Sequence, residues 1–260
     1  MMRLIHKLLF RLLPLESYLR VVSGLFFIYI RLGMGRRSEA VEYVYLLPQL
    51  VRSGDTCIDI GANLGYYSRP LSRIVGDGGR VLSVEPVPVI GRVLRRNLHR
   101  CRNVEIFPFA LGEQSRRITM SNDSVTTDGY FGTGRNRVDD SAADAAATHK
   151  ATAAGTTADR AAGTATFEAE MRRGSELFGG LERIDFIKCD IEGYELCVMR
   201  EMRPLLERHR PTVLIETGGV NRPQIIALFT ELGYRGMTLE GGRLVPLTAD
   251  SSKDIVFLHD

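Results

Sequence analysis

The sequence contains no tryptophan, few cysteines and no long hydrophobic run, and each of these absences excludes a class of protein. Four cysteines occur among 260 residues, with no CxxC pair and no histidine at zinc-ligand spacing. We therefore predict neither a disulfide framework nor a structural zinc site and assign no metal ligand. The apolar run at residues 21–30 is well short of the roughly 20 residues that a transmembrane helix needs.

The sequence also lacks a large excess of charge of either sign. Lys and Arg number 34 against 31 Asp and Glu, so we expect no nucleic-acid partner. With 44% hydrophobic and 25% charged residues, the composition is that of a folded globular protein with one large or two small domains.

The basic residues concentrate at the N-terminus. Residues 1–37 contain seven Arg or Lys and a single acid. Leucines repeat there every four positions beside basic residues, a pattern that predicts an amphipathic helix ending at Pro14. Such a helix either makes a peripheral membrane contact through residues 1–37 or packs on the domain. We treat 1–50 as an N-terminal basic amphipathic helical region and expect a cytoplasmic protein, with contact at the inner face of the membrane as the first alternative.

The rest of the chain, 51–260, alternates short β-branched runs with helical stretches. The predicted strands are Cys57–Ile60, Arg80–Val84, Val104–Phe109, Ile184–Cys189 and Thr212–Ile215. This alternation predicts an α/β fold with a mostly parallel sheet and helices on both faces. A turn at residues 240–242 predicts a hairpin, and residues 254–259 a further strand, so the C-terminal end of the sheet should be antiparallel.

One internal segment departs from this pattern. Residues 121–166 are rich in Ala, Thr, Asp and Gly and poor in large apolar residues. We predict a low-complexity insertion that buries no core and acts as a mobile segment or lid, with an alanine-rich helix as the alternative. His149 in this segment is expected to be solvated rather than catalytic.

A tight turn of small residues follows the first predicted strand, with the sequence Asp59-Ile60-Gly61-Ala62-Asn63-Leu64-Gly65-Tyr66. Its spacing brings the backbone close to a ligand. The dinucleotide fingerprint GxGxxG would require glycine where Asn63 and Tyr66 stand, so a nicotinamide cofactor is not predicted.

The second predicted strand ends in Val84-Glu85-Pro86. A carboxylate at this place can accept two hydrogen bonds from a ribose diol. Pro86 cannot donate to a strand ladder, so it ends the strand where a ligand would lie. Glu85 and Pro86 are therefore expected in a cofactor site.

Three further motifs lie along the chain: L-x-x-N at 94–97, Phe109-Ala110-Leu111-Gly112, and K-x-D-x-E-G-x-E at 188–195. Together with D-I-G-A-N-L-G and V-E-P, they resemble the FkbM family of methyltransferases that depend on S-adenosylmethionine (SAM), over about residues 54–217. The resemblance implies a class I, Rossmann-like methyltransferase fold. It also implies SAM as cofactor and O-methylation of a sugar hydroxyl in a glycolipid, polysaccharide or secondary metabolite. The implied cofactor residues are Asp59, Gly61, Ala62, Asn63, Gly65, Tyr66, Glu85, Pro86, Ala110 and Leu111.

Ionisable residues cluster at the end of the fourth predicted strand. Lys188 and Asp190 should share a strand face, where each keeps the other charged. Methyl transfer from a sulfonium needs an aligned nucleophilic oxygen and a group that takes the hydroxyl proton. Asp190 is our first candidate for this base, Glu192 the second and Glu216 the third, and Lys188 completes the predicted catalytic group.

Several alternatives remain open. Asp190 and Glu216 could hold Mg²⁺, although hydrogen bonding without a metal is the favoured interpretation. The chain could also be a non-catalytic module that binds SAM or a nucleotide, or a methyltransferase for a protein or small-molecule nucleophile. The sequence does not predict the oligomeric state.

Overall fold

The computed structural model describes residues 2–36, 38, 41–139, 164–217, 219–251 and 254–259. Its helices in these ranges are α1 (Met2–Leu12), α2 (Leu15–Arg31), α3 (Glu42–Leu50), α4 (Ser68–Val75), α5 (Pro88–Leu98), α6 (Ser124–Asp128), α7 (Gly174–Phe178), α8 (Glu195–Glu201), α9 (Arg203–His209) and α10 (Arg222–Glu231). Its strands there are β1 (Thr56–Ile60), β2 (Arg80–Val84), β3 (Val104–Phe107), β4 (Phe109–Leu111), β5 (Arg116–Asn122), β6 (Arg137–Val138), β7 (Ala165–Arg172), β8 (Phe186–Cys189), β9 (Thr212–Ile215), β10 (Tyr234–Glu240), β11 (Arg243–Pro246) and β12 (Ile255–His259).

The main sheet has the strand order β11-β10-β12-β9-β8-β1-β2-β3. Strands β3, β2, β1, β8 and β9 pair in parallel, whereas β12 runs antiparallel to both β9 and β10. The predicted α/β class, with a mostly parallel sheet and an antiparallel C-terminal end, is confirmed. The central position of β1 places its C-terminal turn in the middle of one sheet edge.

Alternate residues of β1 enter hydrophobic cores on opposite faces of the sheet. Cys57 packs with residues of α3 and α4, including Tyr43 and Leu71. Ile58 packs on the other face with α8, α9 and α10. α3 thus belongs to the helical layer that covers the sheet. A domain boundary at residue 50 would separate α3 from the domain that it stabilises.

Proline divides one predicted element. The sequence pattern predicts a single strand over 104–109, but the structure has β3 and β4 on either side of Pro108. Proline has no backbone N–H to donate, so it cannot continue a ladder. After Pro108 the chain leaves the main sheet and enters a second one, with the order β4-β7-β5-β6.

This second sheet includes part of the segment 121–166, which the sequence predicts to be a low-complexity insertion. The segment contributes the end of β5, α6, β6 and the start of β7, and Phe131 within it is only 2% exposed. Phe131 packs against Phe167 of β7 with ring centroids 6.0 Å apart. The expectation that the segment buries no core is therefore wrong for residues 121–139, because sparse apolar residues there meet apolar residues from outside it. The central part, 140–163 with His149, lies outside the described residues.

The N-terminal helices follow the predicted pattern at their junction. α1 ends at Leu12 and α2 begins at Leu15, so Pro14 separates two helices as expected. Tyr18 and Leu19 of α2 are buried in a core that also contains residues of α5 and the second sheet. Of the helices in the described ranges, none has the length and apolar character to cross a membrane.

Replacing Phe167 by Ala should lower the free energy of unfolding by about 3–5 kcal/mol, because it leaves a cavity against Phe131. Thr166→Ala on the same strand is the matched control, since Thr166 is exposed and should shift stability by less than about 0.5 kcal/mol. Urea unfolding followed by circular dichroism measures both variants. Equal stabilities for the two would show that the second sheet has no fixed core.

Candidate functional site

The turn after β1 has a backbone that only glycine can form at its first position. Gly61 has φ of 76°, and a Cβ atom there would collide with the carbonyl oxygen of Asp190. Asn63 also has positive φ, 53°, a conformation that asparagine tolerates better than most residues. The turn therefore passes directly against the end of β8.

Lys188 contacts this turn through its ammonium group. Its side chain is 5% exposed, and its Nζ lies 3.1 Å from Asp190 Oδ2 and 3.7 Å from Asp59 Oδ1. The same Nζ donates to the Gly61 carbonyl oxygen at 3.0 Å. Burial acts to lower the pKa of Lys188, but the charges of Asp190 and Asp59 raise it overall, so the ammonium persists.

Asp59 lies deeper than expected for a ligand contact. It is fully buried, and Ser68 Oγ donates to its Oδ2 at 2.6 Å while Ser83 Oγ donates to Ser68 Oγ at 2.8 Å. Burial raises the pKa of Asp59, and the charge of Lys188 and the hydrogen bond from Ser68 oppose this shift. Asp59 thus neutralises Lys188 and supports the turn.

Glu85 follows β2 on the cavity side. Its carboxylate accepts hydrogen bonds from the backbone N–H groups of Asn63 and Val87, each at 2.9 Å. A carboxylate can accept about four hydrogen bonds, so its oxygens keep lone pairs for a ligand. Burial raises the pKa of Glu85 to about 7, against the opposing effect of those two N–H groups.

The glycine turn and Glu85 border a cavity that is open to solvent, with about 630 Å³ of empty space when its mouth is included. Ile60, Gly61, Asn63 and Glu85 form one wall, and the first residues of the acidic loop after β8 form another. Phe109, Ala110 and Leu111 of β4 supply an apolar side. The cavity thus has an apolar side beside a buried carboxylate, with acids at its other end.

Three carboxyl groups meet at the edge of the sheet. One oxygen each of Asp190, Glu192 and Glu216 lies within 4.8 Å of the others. Burial acts to raise the pKa of Asp190, but the charge of Lys188 and the hydrogen bond from Glu216 lower it overall. Burial, followed by the charge of Asp190, raises the pKa of Glu192 to about 7.

Glu216 carries the proton of the pair that it forms with Asp190. The hydrogen bond to Asp190 raises the pKa of Glu216, and the neighbouring negative charges add to this shift. The three carboxyl groups could also hold a divalent cation through oxygen ligands, in which case the cation would replace the proton that Glu216 carries. Glu192 has φ of 58°, a strained conformation that is often found at functional sites.

The structure brings most of the predicted site residues to one cavity. Those that line it are Gly61, Asn63, Glu85, Pro86, Ala110, Leu111, Asp190 and Glu192. Asp59 and Lys188 lie behind the turn, and Glu216 lies beside Asp190.

Three residues of the predicted turn have other contacts. Ala62 is buried with Leu94 and Leu98 of α5, and a Cβ at Gly65 would lie 3.2 Å from Leu94. Both small residues allow α5 to approach the turn. The Tyr66 ring packs on Phe26 with centroids 4.1 Å apart. These contacts place Ala62, Gly65 and Tyr66 in the packing around the turn after β1.

Sequence reasoning missed part of the cavity wall. Thr133 and Asn136 line the cavity from the loop between α6 and β6, and Val138 lines it from β6. They lie in the segment that composition alone assigned to an insertion, and no motif marks them. A fourth acid near Asp190, Glu192 and Glu216 is Asp254, which directly precedes β12. Burial and the charge of Asp190 raise its pKa to about 6. Only the strand order, in which β12 lies beside β9, identifies this neighbour.

The strand order, the glycine turn after β1, Asp59 within β1 and the acids beyond β2 and β8 define a Rossmann-like protein of the class I methyltransferase type. The profile of the methyltransferase FkbM domain matches residues 59–235. Since this is more than half of the sequence, the chain belongs to the FkbM methyltransferase family.

Individual relatives are more distant. The chain is 33% identical over 73 residues to a protein-L-isoaspartate O-methyltransferase of Methanothrix thermoacetophila, matching 27% of this chain and 35% of that protein. The chain thus spans about a third of the length of that relative. It is 26% identical over 200 residues to the methyltransferase sdnD of Sordaria araneosa, with 68% of this chain and 72% of that protein covered.

Two solved structures align with most of the chain at low sequence identity. An FkbM methyltransferase from Methylobacillus flagellatus aligns with a TM-score of 0.48 and 16% identity over 80% of this chain and 45% of that one. Fibrillarin of Aeropyrum pernix, with bound S-adenosyl-L-methionine, aligns with a TM-score of 0.44 and 15% identity over 83% of this chain and 72% of that one.

Replacing Lys188 by Met should lower the free energy of unfolding by about 3–5 kcal/mol at pH 7, because it leaves the buried Asp59 carboxylate without a counter-charge. In the variant the folded state retains a proton on Asp59 that the unfolded state releases. Stability then falls as pH rises above the ordinary carboxylate pKa, so the loss should be smaller at pH 5 than at pH 8.

Urea unfolding at several pH values measures this effect. Adding Asp59→Asn to Lys188→Met removes the stranded charge and should recover part of the stability. A loss that is the same at every pH, with no recovery in the double variant, would contradict the assigned role of Lys188.

Proposed function

We propose that the chain is a SAM-dependent O-methyltransferase whose acceptor is a sugar hydroxyl of a glycolipid, polysaccharide or secondary metabolite. The observation that carries this proposal is one cavity with two different carboxyl groups. Glu85 is held by two backbone N–H groups beside the glycine turn, and Glu192 lies among the acids after β8. The first suits cofactor binding and the second suits proton transfer.

The residues of the cavity fit SAM. Glu85 retains lone pairs that can accept from a ribose diol. Asn63 Oδ1 is buried and, among the described residues, has no hydrogen-bond partner, so it can accept from an ammonium or hydroxyl group of a ligand. Ala110 and Leu111 add an apolar wall suited to a purine ring. SAM would supply a methyl group on a sulfonium, whose C–S bond breaks as a C–O bond forms.

Glu192 is the best candidate for the base that takes the acceptor proton. A general base works best with a pKa near the operating pH, and burial brings the pKa of Glu192 to about 7. The sequence ranks the candidate bases in the order Asp190, Glu192, Glu216. The pKa of Asp190 is lowered, so Asp190 is a weaker base than its first rank requires. Asp190 then keeps Lys188 charged, and the protonated Glu216 donates a hydrogen bond to Asp190.

The polar groups on the cavity wall favour a hydroxyl-rich acceptor. Thr133 and Asn136 line this wall. The Asn136 amide donates to the Thr133 carbonyl oxygen and accepts from Asn122, and it keeps a second N–H and a second lone pair for a ligand. Two alternatives from different classes are a methyltransferase for a protein or small-molecule nucleophile and a binding module without catalysis. Transfer assays on separate sugar, peptide and small-molecule panels, each with and without Mg²⁺, distinguish them.

Glu85→Ala should weaken binding of S-adenosylhomocysteine by about 10- to 150-fold, the equivalent of losing hydrogen bonds to a charged group worth about 1.5–3 kcal/mol. Isothermal titration calorimetry measures this change. Glu105→Ala is the control, since Glu105 is exposed on β3. Unchanged affinity in Glu85→Ala would remove Glu85 from the site, and no binding to the folded wild type would contradict the cofactor assignment.

Glu192→Gln should lower the turnover at least 100-fold, the minimum expected from loss of a general base, while S-adenosylhomocysteine affinity changes little. A base acts when deprotonated, so wild-type turnover should rise through pH of about 7 and level off above it. The variant should lose this rise. If Asp190→Asn abolishes turnover and Glu192→Gln keeps the wild-type pH profile, the base is Asp190.

A further inference from the structure

The two N-terminal helices have apolar residues on the sides that point away from the domain. We call this set the apolar face, and its members are Leu4, Leu8, Leu12, Leu25, Ile28 and Leu32. Their exposed fractions run from 52% to 73%. They repeat every three or four positions, so α1 has a continuous stripe, and α2 together with its C-cap residue Leu32 has another. Scattered exposed leucines are ordinary, but contiguous stripes mark an interaction surface.

The apolar face is held in a defined orientation by the opposite sides of the same helices. His6 Nδ1 and Tyr18 Oη form a hydrogen bond of 2.8 Å between α1 and α2, and Tyr18 Oη donates to the Phe131 carbonyl oxygen at 3.2 Å. Phe10 packs edge-on against Tyr18 with centroids 5.4 Å apart. The two interpretations of the basic helix are therefore compatible, because one side packs and the other stays exposed.

A cleft between α2, α4 and α5 lies beside the apolar face. We call it the arginine cleft, and its cations are Arg31, Arg69, Arg73 and Arg96. Phe26, Phe27 and Ile28 line the same cleft, so Ile28 belongs to both surfaces. The Arg69 guanidinium lies 4.5 Å from the Phe27 ring centroid. Cationic and apolar groups thus alternate over a short distance.

The cations of the arginine cleft are not neutralised within the described part of the chain, where none of the four forms an ion pair with an acid. The neighbouring Arg20 and Arg92 differ, since both pair with Glu16 at 2.5 and 3.2 Å. Burial and the charge of Arg73 lower the pKa of Arg69. Cations crowded together without an acid are arranged to receive an anion from outside.

We propose that the apolar face and the arginine cleft together dock the protein on an anionic phospholipid bilayer, with the cleft binding lipid phosphate groups. Guanidinium groups suit phosphate because their donors form paired hydrogen bonds. Aliphatic stripes beside those cations suit acyl chains, which a nucleic acid would not cover. The helices are too short to cross a bilayer, so they lie in its interface. This proposal is independent of the reaction that the cavity catalyses.

The absence of tryptophan allows a direct test with single-tryptophan variants of the full chain. Leu8→Trp and Ile28→Trp place the probe on the apolar face. Glu240→Trp places it on the exposed β10–β11 hairpin at the far edge of the sheet. With vesicles of phosphatidylcholine and 30 mol% (about one lipid in three) phosphatidylglycerol, the first two should shift to the blue and be quenched by brominated lipids. Equal responses from all three probes, or no response from the first two, would overturn the proposal.

Vesicle sedimentation tests the arginine cleft. Each basic residue near an anionic surface contributes roughly 1 kcal/mol, so Arg69→Ala/Arg73→Ala/Arg96→Ala should weaken binding about 100-fold. The control Arg117→Ala/Arg208→Ala/Arg243→Ala removes the same charge from exposed positions elsewhere and should weaken it less than about fivefold. Retained S-adenosylhomocysteine binding or an unchanged melting temperature shows that each variant is folded. Equal losses in both triple variants would reduce the effect to net charge and overturn the assigned site.

Two further arms identify the source of the phosphate. Wild-type protein should bind pure phosphatidylcholine vesicles at least tenfold more weakly than the anionic vesicles, and added salt should weaken the anionic binding. Millimolar inorganic phosphate should not release the protein, because a free ion lacks the acyl contact. Binding to single-stranded RNA through the same arginines, with no vesicle binding, would replace the membrane by a nucleic acid and overturn the proposal.

Discussion

The candidate site depends on one buried ammonium group. Lys188 places its Nζ between Asp59 and Asp190 and also donates to the Gly61 carbonyl oxygen. These contacts join β1, β8 and the turn that follows β1. A buried cation is costly unless it is paired and hydrogen-bonded, so the two aspartates and the turn must keep their relative positions. The geometry of the cavity follows from this requirement.

The same ammonium separates the acids around it into groups with different tendencies to hold a proton. Asp190, in direct contact with Lys188, has a lowered pKa, whereas Glu192 is shielded from water and repelled by Asp190 and has a pKa of about 7. Glu216 retains a proton because it hydrogen-bonds to Asp190. Neighbouring carboxyl groups with separated pKa values are how one site provides both a fixed anion and a base near neutral pH. This separation supports methyl transfer over simple binding.

Elements outside the main sheet complete the site and connect it to the N-terminus. The loop between α6 and β6 of the second sheet brings Thr133 and Asn136 to the cavity wall. The Phe131 carbonyl oxygen, two residues from Thr133, accepts a hydrogen bond from Tyr18 of α2. The helices that carry the apolar face thus pack directly on the loop that borders the cavity. A protein docked through that face would hold its cavity at a defined orientation to the bilayer.

The amino-acid sequence by itself determined the α/β class, the glycine turn, Glu85 and the acids after β8, because each depends on residues that are neighbours along the chain. It also determined the helix break at Pro14. Only the tertiary structure decided that Asp59 and Lys188 form a buried pair, that Glu192 has a higher pKa than Asp190, and that residues 121–139 belong to a packed sheet. Burial, pKa and packing depend on groups distant in the sequence, and local patterns do not contain those distances.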